Sequence, residues 1–152
     1  MGMIEIDTGN PDLFKPMEFK VCSKGKHLFE VANDLVVEPS KSSDNNLISA
    51  QLKCLDDGDD KGATVFDRFV LMADTTTEKG RKAQQINQGR LCQFAVACGI
   101  LTQEEIKNGS GIPLDKFKGS TCEAITKVCL NTDPNTDEQK QRAEIVKYIF
   151  ED

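Results

Sequence analysis

The chain has no Trp and one Tyr, and aromatics make up only 6% of its 152 residues. Any ring on the polar face of a strand is therefore a scarce resource. Positive charge is not in excess either. The net charge of −6 argues against a general polyanion-coating role, because such binding rests on broad basic patches. Local sign matters more than the total: Lys15, Lys20, Lys24 and Lys26 face only Glu18 between them, whereas Asp56, Asp57, Asp59 and Asp60 form an acidic knot. There is a single histidine, His27, with no Gly-rich phosphate loop and no Ser in a nucleophile-elbow setting. No stretch approaches the ~20 apolar residues of a membrane span, and no basic segment followed by an apolar one opens the chain. A cytoplasmic protein without a membrane partner is the expectation.

Zinc-knuckle spacing is also missing. Of the six cysteines (Cys22, Cys54, Cys92, Cys98, Cys122 and Cys129), no two are separated by two to four residues, and a site using His27 would need ligands distant in sequence. Several fall at core-type positions, so free thiols in a reducing compartment are expected, with no metal and no cofactor. The length suits one domain that buries its own core.

What the sequence does carry is organised around the stretch from Gly62 to Gly99. Residues 1–18, with Gly, Pro and Asp closely spaced, read as an extended N-terminal arm ahead of a domain over residues 19–150 and a short acidic end at 151–152. From His27 to Glu38 Phe29, Val31, Leu35 and Val37 share one face of a strand, with a bulge at Asn33-Asp34. In the next strand Ile48, Ala50, Leu52 and Cys54 share the buried face, and Leu47, Ser49, Gln51 and Lys53 the wet one. The acidic knot then reads as a solvated hairpin tip, since it lacks the alternating ligands and closing Glu of a calcium loop.

The third strand, Thr64 to Leu71, sets Val65, Asp67, Phe69 and Leu71 against Thr64, Phe66, Arg68 and Val70. The first set is the more apolar and should face inward, which gives Asp67 a need for a buried partner. Phe66 and Arg68 are left on the wetter face, where a ring can stack on a base and a guanidinium can hold a phosphate. The bland alternative is that Phe66 packs under a helix and Arg68 pairs with a surface carboxylate. Thr75 with Glu78 offers a capping box, Gly80 and Gly89 weaken the helix that follows, and Leu91, Phe94, Ala95 and Cys98 form its apolar stripe. Its run Arg81, Lys82, Gln84, Gln85, Asn87, Gln88, Arg90 holds no acid, and would suit a polyanion alongside or simply a solvated face. Gly99 serves as the helix stop, Thr102 with Glu105 opens a second short helix, and Leu114 and Phe117 anchor the chain. Thr121 to Leu130 is a strand. Residues 131–142 are a turn-rich excursion whose end, Glu138 to Arg142, allows a helix, and Ile145 to Phe150 is a closing strand with Val146, Tyr148 and Phe150 on one side and Ile145, Lys147 and Ile149 on the other.

Three strands, a helix and two more strands make a mainly β chain of five strands with the helix between the third and fourth. That is the order of the OB-fold β-barrel. Lys61-Gly62, Val65-Phe66-Asp67-Arg68-Phe69-Val70-Leu71, then Leu91-Cys92-Gln93-Phe94-Ala95 and Gly99-Ile100-Leu101, resemble a family of small phage proteins first catalogued as a domain of unknown function. Similarity runs from about Phe19 to Tyr148, with departures at Ala63-Thr64, where basic residues are usual, at the four-Asp tip, and at the insertion-like segment 131–142. The resemblance implies an OB-like core and single-stranded DNA binding in bacteriophage DNA replication or recombination.

On that expectation the protein is a non-enzymatic, sequence-tolerant binder. Phe66 and Tyr148 stack bases; Arg68, Lys53 and Lys147 hold phosphates; Arg81 and Lys82 extend the track; Gln51 adds adaptable hydrogen bonds. One alternative is an interaction or assembly module of the same fold, meeting replication or recombination proteins through its acidic segments. Another is a metal-dependent nuclease using Asp67. Homo-oligomerisation stays open.

Overall fold

The computed structural model describes residues 2–6, 8, 9, 20–132 and 139–150. The arm expected over 1–18 falls largely outside the described residues, as do the tip of the 131–142 excursion and the acidic end at 151–152. The described chain folds as a six-stranded antiparallel sheet with one long helix, in the order β1 (Gly25–Val31), β2 (Val37–Pro39), β3 (Asn46–Cys54), β4 (Thr64–Leu71), α1 (Glu78–Ala97), α2 (Gln103–Lys107), β5 (Thr121–Thr132) and β6 (Gln139–Ile149). A single 3-10 turn, Leu114–Lys116, precedes β5.

β3 is the hub. Along one edge it pairs with β4 from Asn46↔Leu71 to Lys53↔Thr64. Along the other it pairs with β2 at one end and β1 at the other. The single strand expected from His27 to Glu38 is thus two strands, broken at Asn33-Asp34. There the Asn33 side chain substitutes for backbone: its Nδ2 donates to the Ser49 carbonyl at 3.0 Å and its Oδ1 accepts from the Gln51 amide at 2.9 Å. A side-chain amide has the donor and acceptor of a peptide, so the ladder is kept while the chain bends. Val37, expected inside, is exposed beyond the break.

β1 continues the sheet to β5, and β5 to β6. The β5–β6 register shifts between Ile125 and Thr126, which face Lys147 and Ile145, so Val146 is an extra residue in β6. The bulge changes the phase of the strand. Ala143 and Tyr148 are buried and Ile145 packs on the core, whereas Val146 is 54% exposed. The expected pairing of Val146 with Tyr148 on one face is corrected by that one residue. Gln139 to Arg142, read as permitting a helix, is strand paired to β5.

The core is the alternation of β3 and β4 made physical: Ile48, Ala50, Leu52, Cys54, Val65 and Phe69 are all buried. Phe94 of α1 sits at its centre, with ring centroids 5.5 Å from Phe69, 5.0 Å from Phe117 and 4.8 Å from Tyr148. Rings of this size contribute about 1.5–3 kcal/mol each by burial. Gly99, with φ of 72°, ends α1 in the left-handed region as expected, and both hydrogen bonds of the Thr102/Glu105 capping box are formed.

The sheet stays open, since no backbone ladder joins its outer strands β4 and β6. Side chains cross the gap. The Tyr148 hydroxyl of β6 donates to Asp67 Oδ2 of β4, and Arg90 of α1 donates to Asp67 Oδ1 and, at 3.1 Å, to the Arg68 carbonyl. Asp67 thus has the partners its inward position demanded: the Arg90 guanidinium, the Tyr148 hydroxyl and, at 2.9 Å, the Arg68 backbone amide.

Candidate nucleic-acid interface

Strand alternation and the β3–β4 register decide which candidate residues meet. Ser49 lies opposite Arg68, Gln51 opposite Phe66, and Lys53 opposite Thr64. All of these point to the face away from the core, so Lys53, Gln51, Phe66 and Arg68 form one contiguous patch. Phe66 is 61% exposed and does not pack under the helix. Among the described residues no carboxylate pairs with Arg68.

Phe66 stands as a ridge between two clefts. One, of about 500 Å³, is walled by Lys20, Gln51, Lys61, Phe66, Gln141 and Arg142, and among the described residues no carboxylate lines it. The other, of about 440 Å³, is walled by Phe66, Asp67, Arg68, Arg90, Arg142 and Glu144. Both acids of this second cleft are neutralised in place. Asp67 is held by Arg90 and Tyr148, and Glu144 accepts from Arg142 Nη2 at 2.7 Å, which keeps its carboxyl below the ordinary range.

Two members of the acidic knot are engaged by the chain itself. Asp60 accepts from the Ser23 amide at 3.0 Å and hydroxyl at 2.5 Å, and Asp56 lies 2.8 Å from His27 Nδ1 and accepts from the Leu28 amide. These bonds tie the β3–β4 turn to the segment entering β1, so the knot is more than a solvated tip. Asp57 stays on the surface, 3.7 Å from Lys61 Nζ.

The remaining expected residues are not brought to the patch. Tyr148 is buried with its ring against Phe94; burial first, and then the charge of Asp67, push its phenol well above the usual range. Lys147 is exposed on the opposite side of β6, beside Gln93 and Phe150. Arg81 donates to the Thr76 carbonyl at 2.8 Å and Lys82 pairs with Glu78 at 3.6 Å, both at the start of α1 and outside either cleft. The acid-free run of α1 has a different employment. Gln84 accepts from the Met72 amide at 2.8 Å, Asn87 from the Val70 amide at 2.9 Å, and Arg90 donates to the Arg68 carbonyl. Three helix residues at three-residue spacing thus satisfy the free edge of β4, a group of donors and acceptors that would otherwise invite another strand.

Lys20, Lys61, Gln141 and Arg142 are the cleft residues that sequence reasoning missed. Lys61 sits in the Lys61-Gly62 lead into β4, where a role could have been assigned. Arg142 lies in the segment that read as an insertion, and only the β5–β6 ribbon brings it beside Phe66. No protein-family model matches this chain, and no curated protein does.

Proposed function

We propose that the chain is an OB-like, sequence-tolerant single-stranded DNA-binding protein of phage replication or recombination, with no catalytic activity of its own. The observation that carries this reading is an exposed ring, Phe66, beside a cleft lined by Lys20, Lys61 and Arg142 and, among the described residues, by no acid, in a protein whose net charge is −6. Phe66 stacks a base, Gln51 across the ladder supplies a donor and an acceptor to its edge, and Lys53, Arg68 and the cleft cations take the flanking phosphates. With few base-edge contacts and a stacking platform, the binding is tolerant of sequence.

The interaction-module alternative has less to support it, because Asp56 and Asp60 of the knot are already engaged by the chain's own Ser23 and His27. The nuclease alternative relies on Asp67, whose oxygens are taken by Arg90, Tyr148 and the Arg68 amide. A fluorescent single-stranded oligonucleotide titrated with wild type and with the double variant Phe66→Ala, Arg68→Ala tests the reading. A loss of at least tenfold in affinity is expected. Unchanged affinity removes this patch from the site.

A further inference from the structure

Cys22, His27 and Cys54 are far apart in sequence and together in space. Their side chains are buried, and one ligand atom of each lies within 4.8 Å of the other two. The fold supplies the distance that sequence spacing could not. Cys54 faces Phe29 across the β1–β3 ladder, and His27 lies two residues from Phe29 on the same face of β1. Cys22 is drawn in by its neighbour Ser23, whose carbonyl accepts from Thr126 Oγ1 at 2.7 Å and whose amide and hydroxyl bind Asp60.

We propose that Cys22, His27 and Cys54 form a structural zinc site that pins the segment ahead of β1 to the turn between β3 and β4. Two sulfurs and one imidazole are a donor set that selects zinc among the common divalent cations. The surroundings suit it. His27 Nδ1 lies 2.8 Å from Asp56 Oδ2, the carboxylate–imidazole contact that orients a ligating histidine and leaves Nε2 for the ion. Nε2 donates to the Ser23 carbonyl at 2.8 Å, so loading displaces both the Nε2 proton and that carbonyl, which keeps the Thr126 hydroxyl as its partner. Loading releases this proton and the two thiol protons. The fourth position falls to water or to Asp60, whose carboxylate is held beside Cys22 by the Ser23 amide and hydroxyl.

The plain alternative is three satisfied core residues. Buried thiols are ordinary, and His27 has partners at both nitrogens. What favours the ion is the coincidence of the chain's only histidine and two of its cysteines at one point where three separate segments must be joined, with Asp56 on the imidazole and Asp60 on the neighbouring Ser23. The site also adjoins the cation-lined cleft: Lys20 is two residues from Cys22, and its Nζ donates to the Lys61 carbonyl at 3.1 Å.

The full chain, produced with zinc and freed of loose metal by gel filtration, is measured by elemental analysis and then by cobalt substitution. One zinc per chain is expected, together with the intense visible bands and thiolate charge-transfer band of tetrahedral cobalt. Cys22→Ser and Cys54→Ser should each weaken retention against a chelator by tenfold or more, while Cys129→Ser, outside the cluster, should not. A folded wild-type protein that carries no zinc and gives no cobalt charge-transfer band overturns the proposal, as does a Cys22–Cys54 disulfide in the native protein or full zinc retention by both serine variants. Should those variants fail to fold, the wild-type cobalt spectrum decides.

Discussion

Asp67 and Phe66 are chain neighbours on opposite faces of β4, and their environments assign them opposite kinds of importance. Asp67 is buried, shared by Arg90 and Tyr148, and removing it leaves a guanidinium without its counter-charge. Because Arg90 retains partial access to water, Asp67→Ala should cost near the lower end of the ~3–5 kcal/mol that breaking a buried pair costs, read from urea unfolding. Phe66 is mostly in water, so Phe66→Ala should change stability by less than ~0.5 kcal/mol while weakening single-strand binding by about 1–3 kcal/mol, roughly five- to 150-fold. A variant that loses both stability and binding would mean the ring is structural.

Tyr148 offers a pH prediction with a clean probe, being the only tyrosine. Its phenol is raised above the ordinary 10.0 by burial and by Asp67. The folded state therefore holds that proton more tightly than the unfolded state, so the stabilisation is complete below pH 10 and is lost as pH rises beyond it. An alkaline absorbance titration should show no phenolate band near pH 10 until the chain unfolds; a band rising there with native structure intact would contradict the buried hydrogen bond.

At the scale of elements, α1 is where reading from sequence and folded fact differ most. Its N-cap is Thr77, accepting from the Gly80 amide at 3.0 Å, rather than Thr75. Gly80 reads as a weakness in a helix, yet a Cβ there would lie 2.1 Å from the Asp74 carbonyl oxygen, so only glycine fits against the incoming loop. Gly89 faces open space. Gly80→Ala should therefore destabilise despite alanine's better helix propensity, whereas Gly89→Ala should stabilise by up to ~1 kcal/mol. Thermal unfolding of the two variants should give shifts of opposite sign, and equal stabilisation would show that the Asp74 contact yields freely.

The apolar stripe Leu91, Phe94, Ala95 was legible because helical period fixes it. The purpose of Gln84, Asn87 and Arg90 was not, since a polar residue bonded to a neighbouring strand edge looks like one in water. The β6 bulge was equally hidden: alternation assigns faces only while the register holds, and one extra residue at Val146 turned Tyr148 inward. β3 and β4 were read correctly because eight consecutive pairs alternate without interruption.

For the whole molecule, the notable property is the segregation of charge. Acidic groups dominate the chain, but two of the four knot aspartates are bound to Ser23 and His27, and those of the second cleft are paired with arginines. Composition reports the sum and not this arrangement, which depends on Lys20, Lys61 and Arg142 arriving from three distant segments. No described helix is long and apolar enough to cross a membrane.

The most direct test is a titration of fluorescent oligo-dT, against a duplex of equal length, over a series of salt concentrations. If the patch of Phe66, Lys53 and Arg68 with its cation-lined cleft takes three to four phosphates, single strands should bind with a log–log salt slope of roughly −2 to −3 and clearly more tightly than duplex. No binding of oligo-dT at micromolar protein in low salt, or equal affinity for duplex, would contradict the account.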